Sequence, residues 1–66
     1  MVAWSDCERE YVRRLWDGLS QKEAAENCGL TLIQANHLLR RLKHRCRVGS
    51  TILLLRCAVR EGVLQP

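Results

Sequence analysis

The chain has 66 residues, a formal net charge of +4 at pH 7 and 47% hydrophobic residues. A domain of this length buries only about 60% of the surface of its unfolded chain, so a deep, self-contained active site is not expected, and the hydrophobic content argues against a disordered basic tail. The longest aliphatic run, Ile52 to Leu55, is far below the ~20 residues of a membrane span, and residues 1–10 lack the pattern of an export signal, so we expect a cytoplasmic protein with no membrane partner.

Two S-x-x-E boxes predict the first two helices. In such a box the serine oxygen accepts from the third helical amide while the glutamate reaches back to the amide of the cap. The boxes are Ser5 with Glu8 and Ser20 with Glu23. They predict helices over about 6–17 and 21–28, and Gly29 suits the left-handed residue that closes the second helix.

A third and a fourth helix are predicted from apolar periodicity. Thr31 caps a helix over 32–47, in which apolar residues recur on one face, and the link from the second helix is only Gly29, Leu30 and Thr31. Ser50 or Thr51 caps a helix over 52–61. This last helix, ILLLRCAV at its centre, carries more apolar residues than one small core can bury, which suggests a partner.

The charge is concentrated in the second half of the chain. Residues 1–38 hold four basic and six acidic side chains, a net of −2, whereas residues 39–66 hold seven basic and one acidic, a net of +6. Five of these cations lie in the segment RRLKHRCR, residues 40–47. A patch of this density attracts polyanions, although a solvated helix face is the commoner meaning of a charge run.

The four cysteines give no metal motif. They are Cys7, Cys28, Cys46 and Cys57, and no two have the C-x-x-C spacing of a zinc knuckle. We therefore expect reduced thiols acting as small apolar residues, with no bound metal and no cofactor. No carboxylate pair, phosphate loop or nucleophile constellation indicates an enzyme.

Four segments in order carry a family resemblance: WSDCEREYV, GLSQKEAA, the turn Gly29-Leu30-Thr31 and the ending AVREGV. With them, residues 4–64 resemble the LuxR-type (GerE-like) helix-turn-helix domain of bacterial transcription regulators. The resemblance implies an all-α, four-helix helix-turn-helix domain over residues 1–66. It further implies that the third helix reads the major groove of double-stranded DNA and that the fourth helix forms a homodimer.

The site residues follow from this expectation and from the exposed side chains of the third helix. Predicted base contacts are Leu32, Ile33, Asn36, His37 and Arg40. Predicted backbone contacts are Ser20, Lys22, Thr31, Gln34, Arg41, Lys43, Arg45 and Arg47. Predicted dimer contacts are Leu53, Leu54 and Cys57.

The chain also departs from the family pattern. Asn36 and Leu38 stand where the family usually has lysine and histidine, and Leu32 and Ile33 are apolar where polar residues are usual. These departures favour, as an alternative, an interaction module that keeps the fold but binds and inhibits another transcription regulator. A promoter-reading region like that of a sigma factor is a further alternative, which the AVREGV ending disfavours.

One pair of departures suggests compensation inside the core. The second helix has Ala24 and Cys28 where larger residues are usual, and the first helix ends in Trp16 where alanine is usual. Because interiors leave few voids, we expect the Trp16 ring to fill the space over Ala24 and Cys28.

Overall fold

The computed structural model describes residues 3–65, which contain four α-helices and no β-strand. The helices are α1 (Asp6–Trp16), α2 (Gln21–Asn27), α3 (Leu32–Arg45) and α4 (Thr51–Arg60). The all-α fold is as predicted, and each helix begins within one residue of its predicted start. Residues 1, 2 and 66 of the predicted domain lie outside the described residues. No helix within 3–65 is long and apolar enough to cross a membrane.

The first three helices begin with reciprocal capping boxes. At α1 the Glu8 backbone N–H donates to Ser5 Oγ at 3.2 Å, and Glu8 Oε1 accepts from the Ser5 N–H at 2.8 Å. Ser20 and Glu23 repeat this arrangement at α2. These local bonds explain why the predicted starts of α1 and α2 agree with the structure.

All four helices end with the same pair of backbone hydrogen bonds, a Schellman motif whose first residue past the cap has a positive φ. In α1, α2 and α4 that residue is glycine, whereas in α3 it is Arg47, with φ 57°. The Val48 N–H donates to the Lys43 carbonyl at 2.9 Å. This closure ends α3 at Arg45, two residues before its predicted end.

The core lies where the four helices meet. Its largest fully buried side chains are Tyr11, Val12, Leu42, Leu54 and Leu64. The predicted packing of Trp16 over the second helix is wrong. Trp16 is 41% exposed and lines a groove beside α4, whereas Ala24 is fully buried without it. The fully buried aromatic ring of α1 is that of Tyr11.

An ion pair joins α1 to α3 at the edge of the core. Glu8 is the one buried charged residue within 3–65, and its Oε2 accepts a hydrogen bond from Arg45 Nη2. Burial raises the pKa of Glu8, but the backbone N–H of Ser5 and the Arg45 guanidinium outweigh it and hold the pKa below its usual range. The carboxylate therefore stays charged in the core near neutral pH.

Candidate nucleic-acid interface

The turn between α2 and α3 sets the direction in which α3 leaves α2. Gly29 adopts φ 70°, where a side chain would be strained, and the Leu30 N–H donates to the Ala25 carbonyl at 2.8 Å. Thr31 and Gln34 then form a capping box, with hydrogen bonds of 3.1 and 2.9 Å. The turn is thus closed by backbone bonds on one side and by a cap on the other.

One face of α3 packs on the core and the opposite face is exposed. The buried residues are Ala35, Leu38, Leu39 and Leu42. On the other side Ile33, His37, Arg40 and His44 are exposed and follow one another at steps of four, three and four residues, so they lie along one line of the helix. At about 1.5 Å per residue this line is ~17 Å long.

The structure brings the predicted base contacts to this face. All five are exposed: Leu32, Ile33, Asn36, His37 and Arg40. Ile33 is the most exposed of them, at 71%. Because α3 contains no acidic residue, this face combines polar, apolar and cationic groups without a negative side chain of its own.

Asn36 has a partner that the sequence did not indicate. The Gln21 side-chain amide, at the first residue of α2, donates to Asn36 Oδ1. This bond orients the Asn36 amide and leaves its NH₂ group to donate elsewhere. Gln21 is therefore part of the surface, although its pairing across 15 positions carried no signal in the sequence.

His37 lies on the exposed line of α3, and Arg41 lies beside it on the flank opposite Asn36. With Cys7, Leu30, Gln34 and Leu38 they line a shallow hollow of about 300 Å³. Asn36 is not among these residues and bonds to α2 instead. The predicted contacts thus divide between two flanks of the helix, with Arg40 on the line between them.

The predicted contacts to the DNA backbone differ in how accessible their side chains are. Ser20, Thr31 and Gln34 are exposed, but their side chains take part in capping boxes, and Gln34 Oε1 is bonded to the Thr31 N–H. Lys22, Arg41 and Arg47 are exposed, and Lys43 is half-buried. Arg45 differs from the prediction because its guanidinium is paired with buried Glu8, which draws it toward the core instead of toward a ligand.

On α4 two of the three predicted dimer contacts are misplaced. Leu54 is fully buried and Cys57 is buried, so both face the core and neither is available to a second copy. Leu53 is exposed, as predicted, and so is Ile52, which is 72% exposed and which the prediction omitted. The error lies in the rotation of the helix, because four successive apolar residues do not reveal which of them point inward.

A groove of about 620 Å³ runs between the end of α1 and the outer side of α4. Its apolar lining is Trp16, Val48, Leu53 and Val59, and its cationic lining is Arg56 and Arg60. The exposed side chains of Trp16 and Leu53 give this recess an apolar wall. This recess will be called the α4 groove.

Three potential metal ligands meet where α3 and α4 end. Cys46 is the C-cap of α3, Cys57 lies in the last turns of α4 and Glu61 is the C-cap of α4; their ligand atoms all lie within 4.8 Å of one another. Burial raises the pKa of the Cys57 thiol to about 12, as do the hydrogen bond to Glu61 and the neighbouring Cys46. All four cysteines are free thiols, as expected; Cys57 is buried and Cys28 and Cys46 pack against the core, but exposed Cys7 is not the apolar core residue that was predicted.

Comparisons with known proteins identified no relative of this chain. No protein-family model matches the chain, and no curated protein or solved structure is significantly similar to it. Its function is therefore argued from the residues and their arrangement.

Proposed function

We propose that this chain is a cytoplasmic DNA-binding transcription regulator with a LuxR-type helix-turn-helix fold. In this proposal α2 and α3 form the helix-turn-helix unit, and α3 lies in the major groove. The observation that carries it is the exposed line Ile33, His37, Arg40 and His44 on a helix without acidic residues, directly after the four-residue link 28–31. This is the arrangement in which a recognition helix meets base edges.

The dimensions and charge of α3 support this reading. The major groove of B-DNA is about 12 Å wide, and a helix with its side chains is about 10–12 Å across, so one exposed helix face can enter it. Arg41, Lys43 and Arg47 continue along α3 and its C-terminal turn. They would contact phosphates on either side of the groove, which gives affinity without sequence preference.

Sequence reading would fall to Asn36 and Arg40. An asparagine amide can pair with the N6 and N7 edge of adenine, and an arginine with O6 and N7 of guanine. Gln21 would hold the Asn36 amide in position through the bond from α2. Ile33 can add contact with thymine methyl groups, because its exposed tip has no polar atom.

We further propose that two copies associate through the outer side of α4. Exposed Ile52 and Leu53, with Trp16 in the α4 groove, support this, because such large apolar side chains are costly to leave in water. A two-fold pair would set its recognition helices about 34 Å apart on a pseudo-palindromic site. Sedimentation of the wild-type chain should show a dimer that Leu53→Glu converts to a monomer.

The direct test is a titration of random-sequence duplex DNA at two salt concentrations. We expect affinity to fall steeply with salt, since phosphate neutralisation releases counterions. Arg40→Ala should weaken binding by about tenfold or more, within the 1–3 kcal/mol of a base or phosphate contact. Asn36→Ala should leave the salt slope unchanged but relax the sequence preference of DNA selected from a random pool.

The matched control is Arg9→Ala, which removes the same charge from the exposed side of α1. If Arg9→Ala weakens DNA binding as much as Arg40→Ala, the attraction depends on net charge alone and α3 does not enter the groove. Absence of DNA binding even at low salt would reject the regulator proposal.

A second candidate function rests on Leu32 and Ile33, which are 50% and 71% exposed at the start of α3. Two large apolar side chains together on the presumed groove face also suit a protein surface. In that case the chain would bind and inhibit another transcription regulator. Leu32→Ser with Ile33→Ser would then abolish binding to that regulator, whereas it would leave the phosphate-driven DNA affinity of the first proposal largely intact.

A further inference from the structure

The cluster of Cys46, Cys57 and Glu61 brings three chemically different ligand groups to one place. The Cys57 thiol donates to Glu61 Oε2 at 3.2 Å, and the Cys46 sulfur completes a triangle with no edge above 4.8 Å. Among residues 3–65 no other set of three cysteine, histidine or acidic side chains comes so close together. DNA binding, as proposed above, uses none of the three.

From this geometry we propose that Cys46, Cys57 and Glu61 form a binding site for one thiophilic divalent cation, with Zn²⁺ the best fit. Two sulfurs and one oxygen are ligands that zinc accepts, whereas Mg²⁺ and Ca²⁺ prefer oxygen alone. On binding, both thiols release their protons to solvent, the Glu61 carboxylate supplies one oxygen, and a water molecule takes the fourth position.

The distances suit a tetrahedral ion. With metal–sulfur bonds of about 2.3 Å and metal–oxygen bonds of about 2.0 Å, a tetrahedral site has edges of about 3.8 Å between sulfurs and about 3.5 Å between sulfur and oxygen. The observed 3.2 Å contact and the 4.8 Å upper limit lie on either side of these values. Small side-chain rotations are therefore enough to close the site around an ion.

The surroundings also favour a cation. The Trp4 indole N–H donates to Glu61 Oε1 at 3.4 Å, which holds the carboxylate with its other oxygen toward Cys57. A partner of this kind fixes the orientation of a metal ligand. The cluster also lies at the C-terminal ends of both α3 and α4, where the helix dipoles place partial negative charge.

The partial burial of the three ligand residues allows an ion to reach the site. Cys57 is buried, but Cys46 and Glu61 are half-exposed, so an ion can enter from solvent and keep one water ligand. The ion would tie the end of α3 to the end of α4 in a domain with a small core. Because a ligand of the folded state stabilises it by mass action, zinc should raise the melting midpoint by about 5 °C or more at saturation.

The test uses the full chain, reduced with a phosphine and freed of metal. Titration with Co²⁺ should produce a thiolate-to-cobalt charge-transfer band and the visible bands of a tetrahedral ion, complete at one equivalent and erased by one equivalent of Zn²⁺. Cys46→Ser and Glu61→Gln should weaken Co²⁺ binding at least tenfold. The controls are Cys7→Ser and Cys28→Ser, which remove a thiol outside the cluster and should bind Co²⁺ like the wild type.

Circular dichroism of each metal-free variant separates loss of the site from loss of the fold. Equal Co²⁺ binding by Cys46→Ser and Cys7→Ser would overturn the proposal. So would a folded wild-type chain without charge-transfer bands, or one in which Cys46 and Cys57 only form a disulfide in air. None of these results bears on DNA binding, so the two proposals can fail separately.

Discussion

The ion pair between Glu8 and Arg45 allows a quantitative test of how α3 is held on the core. Arg45→Met keeps the aliphatic bulk of the side chain but removes the guanidinium. The buried Glu8 carboxylate then keeps only the stabilisation by Ser5, whose N–H donates to it at 2.8 Å. Breaking a fully buried pair costs about 3–5 kcal/mol. Since the Arg45 side chain is 36% exposed, we expect the smaller loss of about 2 kcal/mol in the free energy of unfolding at pH 7.

The pH dependence gives the sign of the effect. The pKa of Glu8 is lowered in the folded state, so its contribution to stability is complete above the unfolded value of about 4.3 and is lost as pH falls through the folded pKa. Urea unfolding at a series of pH values should therefore show the two proteins about 2 kcal/mol apart at pH 7. The gap should narrow as pH falls below the unfolded value and through the folded pKa, because Glu8 then becomes neutral in both states of each protein.

Glu8→Gln serves as the control because its amide oxygen can still accept from Ser5 while the charge is gone. The free energy of unfolding lost by the double variant with Arg45→Met should be about 1 kcal/mol less than the sum of the two single losses. In the double variant neither charge remains without its partner. Equal stability of Arg45→Met and the wild type at pH 7, or a gap that persists undiminished at low pH, would refute the reasoning.

Three further changes test the helix end, the core and the α4 groove. The free energy of unfolding of Arg47→Gly should be about 1 kcal/mol higher than that of Arg47→Ala. Both variants lose the charge, but only glycine adopts the positive φ of this position without strain. Tyr11→Phe should stay within about 1 kcal/mol of the wild type, since the buried hydroxyl has no hydrogen-bond partner and the Gln21 amide nitrogen donates to Asn36. Trp16→Ala should cost clearly less than the ~3 kcal/mol of Leu42→Ala, because Trp16 is 41% exposed. Denaturant unfolding of dilute protein measures all three. A reversed order of the two Arg47 variants, or of Trp16→Ala and Leu42→Ala, would contradict its premise, as would a loss well above about 1 kcal/mol in Tyr11→Phe.

The helix boundaries show how far local chemistry reaches. Capping boxes span four residues and Schellman closures six, so their signals stand complete in short stretches of sequence. The predicted starts therefore agree with the structure, and the end of α3 was missed only because Arg47 occupies a position that glycine usually holds. The exposed line on α3 was also predictable, since polar and apolar residues alternate there with the helical period.

Periodicity fails where nearly every position is apolar. In α4 the run Ile52 to Leu55 is compatible with several rotations about the helix axis, and only packing against the other helices buries Leu54 and exposes Ile52. Trp16 poses the same problem at the end of α1: its position on the stripe allowed contact with either α2 or α4, and the structure turns it toward α4.

Helix caps and apolar periodicity were enough to predict four helices, and the concentration of cations in residues 40–47 was enough to predict a cationic third helix, because all of these are properties of neighbouring residues. Tertiary structure alone decided which side chains meet across long stretches of chain: Arg45 with Glu8, Gln21 with Asn36, and Cys46 with Cys57 and Glu61. Such pairings depend on the angles and rotations at which whole helices pack. No local pattern encodes these, because they follow from the shape of the complete core.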